Sequence, residues 1–192
     1  MPVTFSVPIT QWYVGETLPV PTIFYTDDSG VPITLTGAFT GLTLTIRNRA
    51  SGPGGDTTGA GTFTIVTTLA ALTGATINAG AAVTALPCAT GTSVALPPAS
   101  TVICSTAGNA ETFTYSGAVP LAAGAISIPV VSQVAGKTHT AADSISGLGL
   151  ATYAWASGDV ATVGQYLLYF KVTMSGGGLY VEDPVPWNVN AF

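Results

Sequence analysis

Side chains able to do acid–base, nucleophilic or metal chemistry are scarce in this chain: four Lys and Arg, nine Asp and Glu, one His and two Cys among 192 residues. The single imidazole, His139, precedes Asp143 by four positions in a turn-like segment. A Ser-His-Asp reading would have to rest on those two, yet no G-x-S-x-G nucleophile elbow is present, so His139 reads as a turn or surface histidine. Glycoside hydrolysis needs two carboxylates facing one bond, and the candidates Asp27/Asp28 and Glu182/Asp183 are sequence neighbours. Neighbours point to opposite faces of a strand and in loops are solvated turn formers. Asp27, Asp28 and a loop carbonyl fall short of the six or more oxygens that Ca²⁺ takes. Cys88 and Cys104, without a CxxC pair and with one histidine, leave almost no candidates for a thiolate/imidazole metal site. They read as two buried thiols, with a disulfide across a short hairpin as the alternative. The glycine-rich loops 52–55 and 176–178 lack the lysine and the strand–loop–helix context of a phosphate cradle. No catalytic residue, cofactor or metal ligand is expected.

Composition narrows the partners. Charged residues make up 7% of the chain and hydrophobic ones 47%, where about 25% charge is usual. Four basic residues cannot build a phosphate-neutralising face or an electrostatic membrane contact. Disorder combines low hydrophobicity with high net charge, and helical bundles need Glu, Lys, Arg and Leu on their surfaces; neither fits. The first residues, Met1-Pro2-Val3-Thr4-Phe5, do not read as a secretory signal. Thr, Gly, Pro and Ser interrupt every apolar run before the roughly 18 residues of a spanning helix.

The elements are strands. Leu42, Leu44 and Ile46 alternate with Thr43, Thr45 and Arg47, a half-buried strand. Tyr166, Leu168, Phe170, Val172 and Met174 share one face of a longer run whose other face is mixed, which predicts a central sandwich strand. Asp27-Asp28-Ser29-Gly30 reads as a hairpin loop between Thr22–Tyr25 and Ile33–Leu35. Ser51–Gly55 and Ser175–Gly178 read as loops. Pro184-Val185-Pro186-Trp187-Asn188-Val189 is expected only at a sheet edge, because each proline lacks a ladder donor. Between 66 and 148 the composition shifts to Ala, Thr, Gly and Val, with both cysteines and no tryptophan. The expected organisation is therefore all-β: an outer antiparallel sandwich, 1–65 plus 149–192, interrupted by a small β-barrel or β-sandwich at 66–148. Insertion at a loop is cheap because domain termini lie close together.

Near the end of the outer part, Tyr153-Ala154-Trp155 is followed by Asp159, Gly164 and Tyr166. In immunoglobulin-like sandwiches a tyrosine at such a corner bonds its hydroxyl back to upstream backbone; Asp159 is suited to accept from turn amides. Together with Gly15-Glu16-Thr17, the run Tyr25–Ala38 and Leu42–Arg47, this pattern resembles an Ig-like module of tailed bacteriophages, found at the N-terminus of upper baseplate proteins and in small virion proteins. The 66–148 insertion departs from that module's usual uninterrupted run. Within the insertion, Leu72–Ile77, Glu111–Gly117 and His139–Ile145 resemble a small β-unit of phage head and tail accessory proteins, in which a Glu-led strand precedes a hairpin and a His-x-Ala-Ala-Asp turn closes the unit.

The resemblance implies a non-enzymatic virion protein on the outer surface of a phage head or tail, expected to be a capsid decoration or cement protein. It would bind other virion subunits and itself as a homo-oligomer. A tail or baseplate adaptor is the close alternative. A carbohydrate-binding module is another, with Trp12, Tyr13, Tyr153, Trp155, Tyr180 and Trp187 as its aromatic platform. Interface residues are expected at Trp12, Tyr13, Trp187 and Phe192, on terminal segments able to add as strands to neighbours. The charge shortage is deepest from 57 to 136, where Glu111 is the one charged residue, and charge-depleted surface suits the core of a permanent interface.

Overall fold

The computed structural model describes residues 3–5, 11–13, 18, 20–35, 39–51, 53–74, 76–105, 109–141, 143–175, 179–181 and 184–191. Its strands are Val3–Phe5 (β1), Gln11–Tyr13 (β2), Thr22–Tyr25 (β3), Phe39–Asn48 (β4), Asp56–Thr58 (β5), Thr62–Ile65 (β6), Ala70–Ala71 (β7), Ala82–Pro87 (β8), Thr101–Ser105 (β9), Glu111–Thr114 (β10), Ser127–Val134 (β11), Ser144–Leu148 (β12), Leu150–Ala154 (β13), Gly164–Met174 (β14), Leu179–Val181 (β15) and Val185–Asn190 (β16). Among the described residues the one helical turn is the 3-10 turn Pro53–Gly55. The protein is all-β, built from several antiparallel sheets packed as a sandwich.

Long alternating runs make the largest sheet, ordered β2-β16-β14-β4-β5, with β15 also on β14. β14 is its centre: Tyr166, Leu168, Phe170 and Val172 are buried on one face and pair in register with Asn48, Ile46, Leu44 and Leu42 of β4. A second sheet, β1-β3-β13-β6, closes over that face. A third, β10-β9-β12-β7, and the β11-β8 pair are built from the alanine- and threonine-rich middle of the chain.

The expected edge position of 184–189 is corrected. β16 pairs with β14 along Val185–Val189 and with β2, in parallel, along Asn188–Asn190. The prolines do not forbid this because Pro184 precedes β16 and Pro186 is its second residue. β2 takes up only the proline-free end, where every residue has an amide to give.

Buried side chains form two clusters. One draws on Val66 to Leu150 and includes Leu72, Leu86, Leu96, Val102, Phe113 and Ile128, with Phe24 joining from β3. The other includes Ile23, Tyr25, Leu44, Tyr153, Phe170 and Trp187. Strand alternation explains the division within β3: Ile23 and Tyr25 face one cluster and Phe24 the other. The second sheet is therefore apolar on both faces, and burying each such side chain contributes about 1.5–3 kcal/mol.

The chain passes between the third and second sheets at Gly149, which separates β12 from β13. Its φ is +70°, left-handed backbone that glycine adopts without a side-chain penalty. A Cβ there would lie 2.6 Å from the Tyr25 carbonyl oxygen, while the Gly149 carbonyl accepts the Tyr25 amide at 2.8 Å.

Candidate functional site

One concentration of chemistry lies at the end of the third sheet. β9 is flanked by β10 and β12, with Glu111 and Ile145 opposite Cys104 on either side. Period-two alternation puts Glu111 on the face of buried Phe113, and Cys104 on the face of buried Val102. β10 is an edge of this sheet, and Gly136, Lys137 and His139 gather around its first residue, Glu111. His139 is pinned by a two-bond bridge: its amide donates to the Ile77 carbonyl at 2.8 Å and the Ile77 amide to the His139 carbonyl at 2.9 Å.

This bridge carries the imidazole inward. His139 and Asp143 are completely buried, which corrects the reading of His139 as a turn or surface residue. Nε2 lies 3.0 Å from Glu111 Oε2, Nδ1 lies 3.2 Å from Asp143 Oδ2, and the ring meets Phe113 edge-on at 6.1 Å between centroids. Thr140 donates its hydroxyl to Asp143 Oδ1 at 3.1 Å. Glu111 is held at both oxygens: Oε1 accepts the Gly136 amide at 2.8 Å and Oε2 the Lys137 amide at 3.3 Å. Burial works against the Glu111 carboxylate, but these amides and His139 outweigh it and hold its pKa below the ordinary carboxylate value. Cys104 completes the group, with ligand atoms of Cys104, His139 and Asp143 all within 4.8 Å of one another. A thiolate/imidazole site, for which sequence spacing offered almost no candidates, has its residues assembled by the fold.

Nucleophilic catalysis does not suit the arrangement. Cys104 is a fully buried free thiol. Burial, with the negative charges of Asp143 and Glu111, pushes its pKa up to about 12, whereas an attacking cysteine must be a thiolate. Burial also pushes up the Cys88 thiol. Both cysteines are unbonded and belong to the first apolar cluster, so the disulfide alternative is not adopted.

The other singled-out residues lie elsewhere. At the corner, Tyr166 donates its hydroxyl to the Thr162 carbonyl at 2.8 Å and accepts from the Thr162 hydroxyl, with 2.6 Å between the oxygens. Asp159 accepts from the Ala60 amide at 2.7 Å, the Ala156 amide at 2.9 Å and the Tyr153 hydroxyl at 2.7 Å. Tyr153 in turn accepts the Gly61 amide at 2.9 Å. Gly164 opens β14, where a Cβ would sit 3.2 Å from Asn48 Nδ2. Asp27 is a turn former: Oδ1 accepts the amides of Ser29 and Val31 at 2.8 and 2.9 Å.

The interface expectation for Trp187 is corrected. Its side chain is 1% exposed because it faces inward from β16 and packs edge-on against Trp155, 4.9 Å between centroids. Trp155 also meets Tyr153 at 5.1 Å, and Tyr153 is fully buried. A glycan platform needs its rings in solvent; Trp187 and Tyr153 are committed to the core, and Trp155 is half-buried against them. Tyr13 is 41% exposed. The side chains of Trp12 and Tyr180, and all of Phe192, Glu182, Asp183 and Gly15–Thr17, lie outside the described residues, as do Gly52 and Gly176–Gly178 of the two loops.

No protein-family model, curated protein or solved structure matches this chain.

Proposed function

We propose that the chain is a non-enzymatic structural component of a tailed-bacteriophage virion, a head-associated decoration protein that sits on the outer surface and binds neighbouring subunits and copies of itself. The observation that carries this reading is the exposure of large apolar side chains in a stretch nearly free of charge. Ile126, Val131 and Val134 are 73%, 52% and 65% exposed along β11 and the residues leading into it. They lie in the 57–136 stretch whose one charged residue is Glu111. A free monomer gains nothing from such surface, whereas an assembled subunit loses little on drying it, since few charges have to be desolvated. The Ig-like sequence pattern supports the phage assignment, and the full burial of Cys104 away from solvent supports a role without catalysis.

The test is to isolate particles of a phage carrying this gene and quantify the chain against the major shell subunit. Copy number in fixed proportion to the shell supports decoration. Proportion to the tail-tip components would transfer the reading to the tail or baseplate adaptor, and absence from particles would end it.

A further inference from the structure

The virion reading leaves the buried Cys104, His139 and Asp143, and the partly buried Glu111 beside them, without a purpose, and their chemistry is specific. Glu111 has both oxygens on amide donors, so it presents a lone pair to His139 Nε2 at 3.0 Å, and that nitrogen must carry the hydrogen. Nδ1 then faces Asp143 Oδ2 at 3.2 Å. In a neutral imidazole that arrangement would set the Nδ1 lone pair against the buried Asp143 carboxylate, with the Cys104 sulfur beside them. Such a pair requires a positive centre, either a further proton or a cation.

We propose that Cys104, His139 and Asp143 bind a zinc(II) ion, with Sγ, Nδ1 and a carboxylate oxygen as ligands and Glu111 as the outer partner of the histidine. Ligand type supports this, because thiolate, imidazole and carboxylate are the donors zinc takes. Spacing supports it too. Zn–N and Zn–O bonds of about 2.0–2.1 Å at a tetrahedral angle set the two donors about 3.3 Å apart, against the 3.2 Å found between Nδ1 and Oδ2. A Zn–S bond of about 2.3 Å puts sulfur about 3.6 Å from each. All the donors lie within 4.8 Å of one another, so closure needs a shift of the order of 1 Å.

The surroundings match as well. A zinc-bound histidine characteristically donates its other ring N–H to a carboxylate, which is the place Glu111 occupies. Charge closes in the same way. One divalent cation balances the Asp143 carboxylate and the thiolate left when Cys104 loses its proton to solvent; the imidazole is neutral, and Glu111 stays outside the ligand set. Three protein donors leave the fourth tetrahedral position to a small ligand such as water. The ion would tie β9 to His139 and Asp143, acting as a staple between the sheet and the residues beside its edge.

The site is sealed, so the test loads metal during folding. The full chain is unfolded with chelator and refolded with equimolar zinc sulfate, or with cobalt(II) chloride as a spectroscopic substitute. Uptake is measured after gel filtration. One metal per chain, a thiolate-to-cobalt charge-transfer band and a higher melting temperature than the metal-free protein are expected. Cys104→Val and His139→Gln should abolish the band, and Cys88→Ala should keep it. A wild-type chain that refolds without taking up metal overturns the proposal, and needs no variant to do so. Stoichiometric metal retained in both Cys104→Val and His139→Gln would overturn the ligand assignment.

Discussion

Tyr153→Phe removes a single oxygen from the centre of the corner and keeps the ring. The contacts to Phe63, Trp155 and Phe170, at 4.6, 5.1 and 6.3 Å between centroids, remain. Two hydrogen bonds go. The first is the phenol's donation to Asp159 at 2.7 Å; burial and that carboxylate push the phenol's pKa well up, so it is a donor throughout the working range. A bond to a charged group contributes about 1.5–3 kcal/mol. The second is the Gly61 amide, which loses its acceptor at 2.9 Å, for about 1 kcal/mol more. The expected loss is about 3 kcal/mol, or about 6–12 °C in melting temperature for a chain of this size. Urea denaturation should show a lower midpoint with an unchanged slope, since the surface exposed on unfolding is the same. Combining Tyr153→Phe with Asp159→Asn should cost about 1–2 kcal/mol less than the sum of the two. A loss under about 1 kcal/mol, or full additivity, would refute the assignment of corner stability to this pair.

Three further outcomes are expected. Neither Cys88 nor Cys104 should react with a thiol reagent at pH 8 in the native protein, and both should react after denaturation; fast native labelling would contradict their burial and raised pKa values. Gly149→Ala should cost about 3 kcal/mol, because the new Cβ meets the Tyr25 carbonyl and φ is left-handed; circular dichroism melts would detect it. In the metal-free protein the depressed Glu111 carboxyl gives stability that is fully present above its ordinary pKa of about 4.3 and lost as pH falls through the lower folded value. Glu111→Gln should flatten that acid limb of the stability curve and leave the remainder of its shape unchanged.

The sandwich was legible because alternation is local: Leu42 to Ile46 and Tyr166 to Met174 declare their buried faces within one strand each. The corner was legible too, since Tyr153, Trp155, Asp159 and Tyr166 are close in sequence. The buried cluster was half legible. His139 and Asp143 stand four residues apart, but their meaning depends on Glu111, 28 residues from His139, and on Cys104 across a strand pair. Sheet register makes those contacts, and composition holds no trace of it. The burial of His139 was missed for that reason. Trp187 was misjudged for a different one: its flanking prolines signal a sheet margin, while the side that a strand turns inward is decided by its partner β14.

The crossing between the two apolar clusters also bears on how the chain can be rebuilt. Ile65 lies opposite Ala151, and the Val66 amide donates to the Leu150 carbonyl at 2.9 Å. Everything between leaves and returns through one pair of hydrogen-bonded strands, as if it were an outsized hairpin loop. Replacing it with a two-residue turn would preserve the backbone pairing of β6 and β13. It would also strip the cover from Phe24 and Leu150 on the far face of that sheet. Any substitute grafted at this neck must therefore bring its own apolar lid, and a foreign loop of matching ends alone would leave a greasy, aggregation-prone scar.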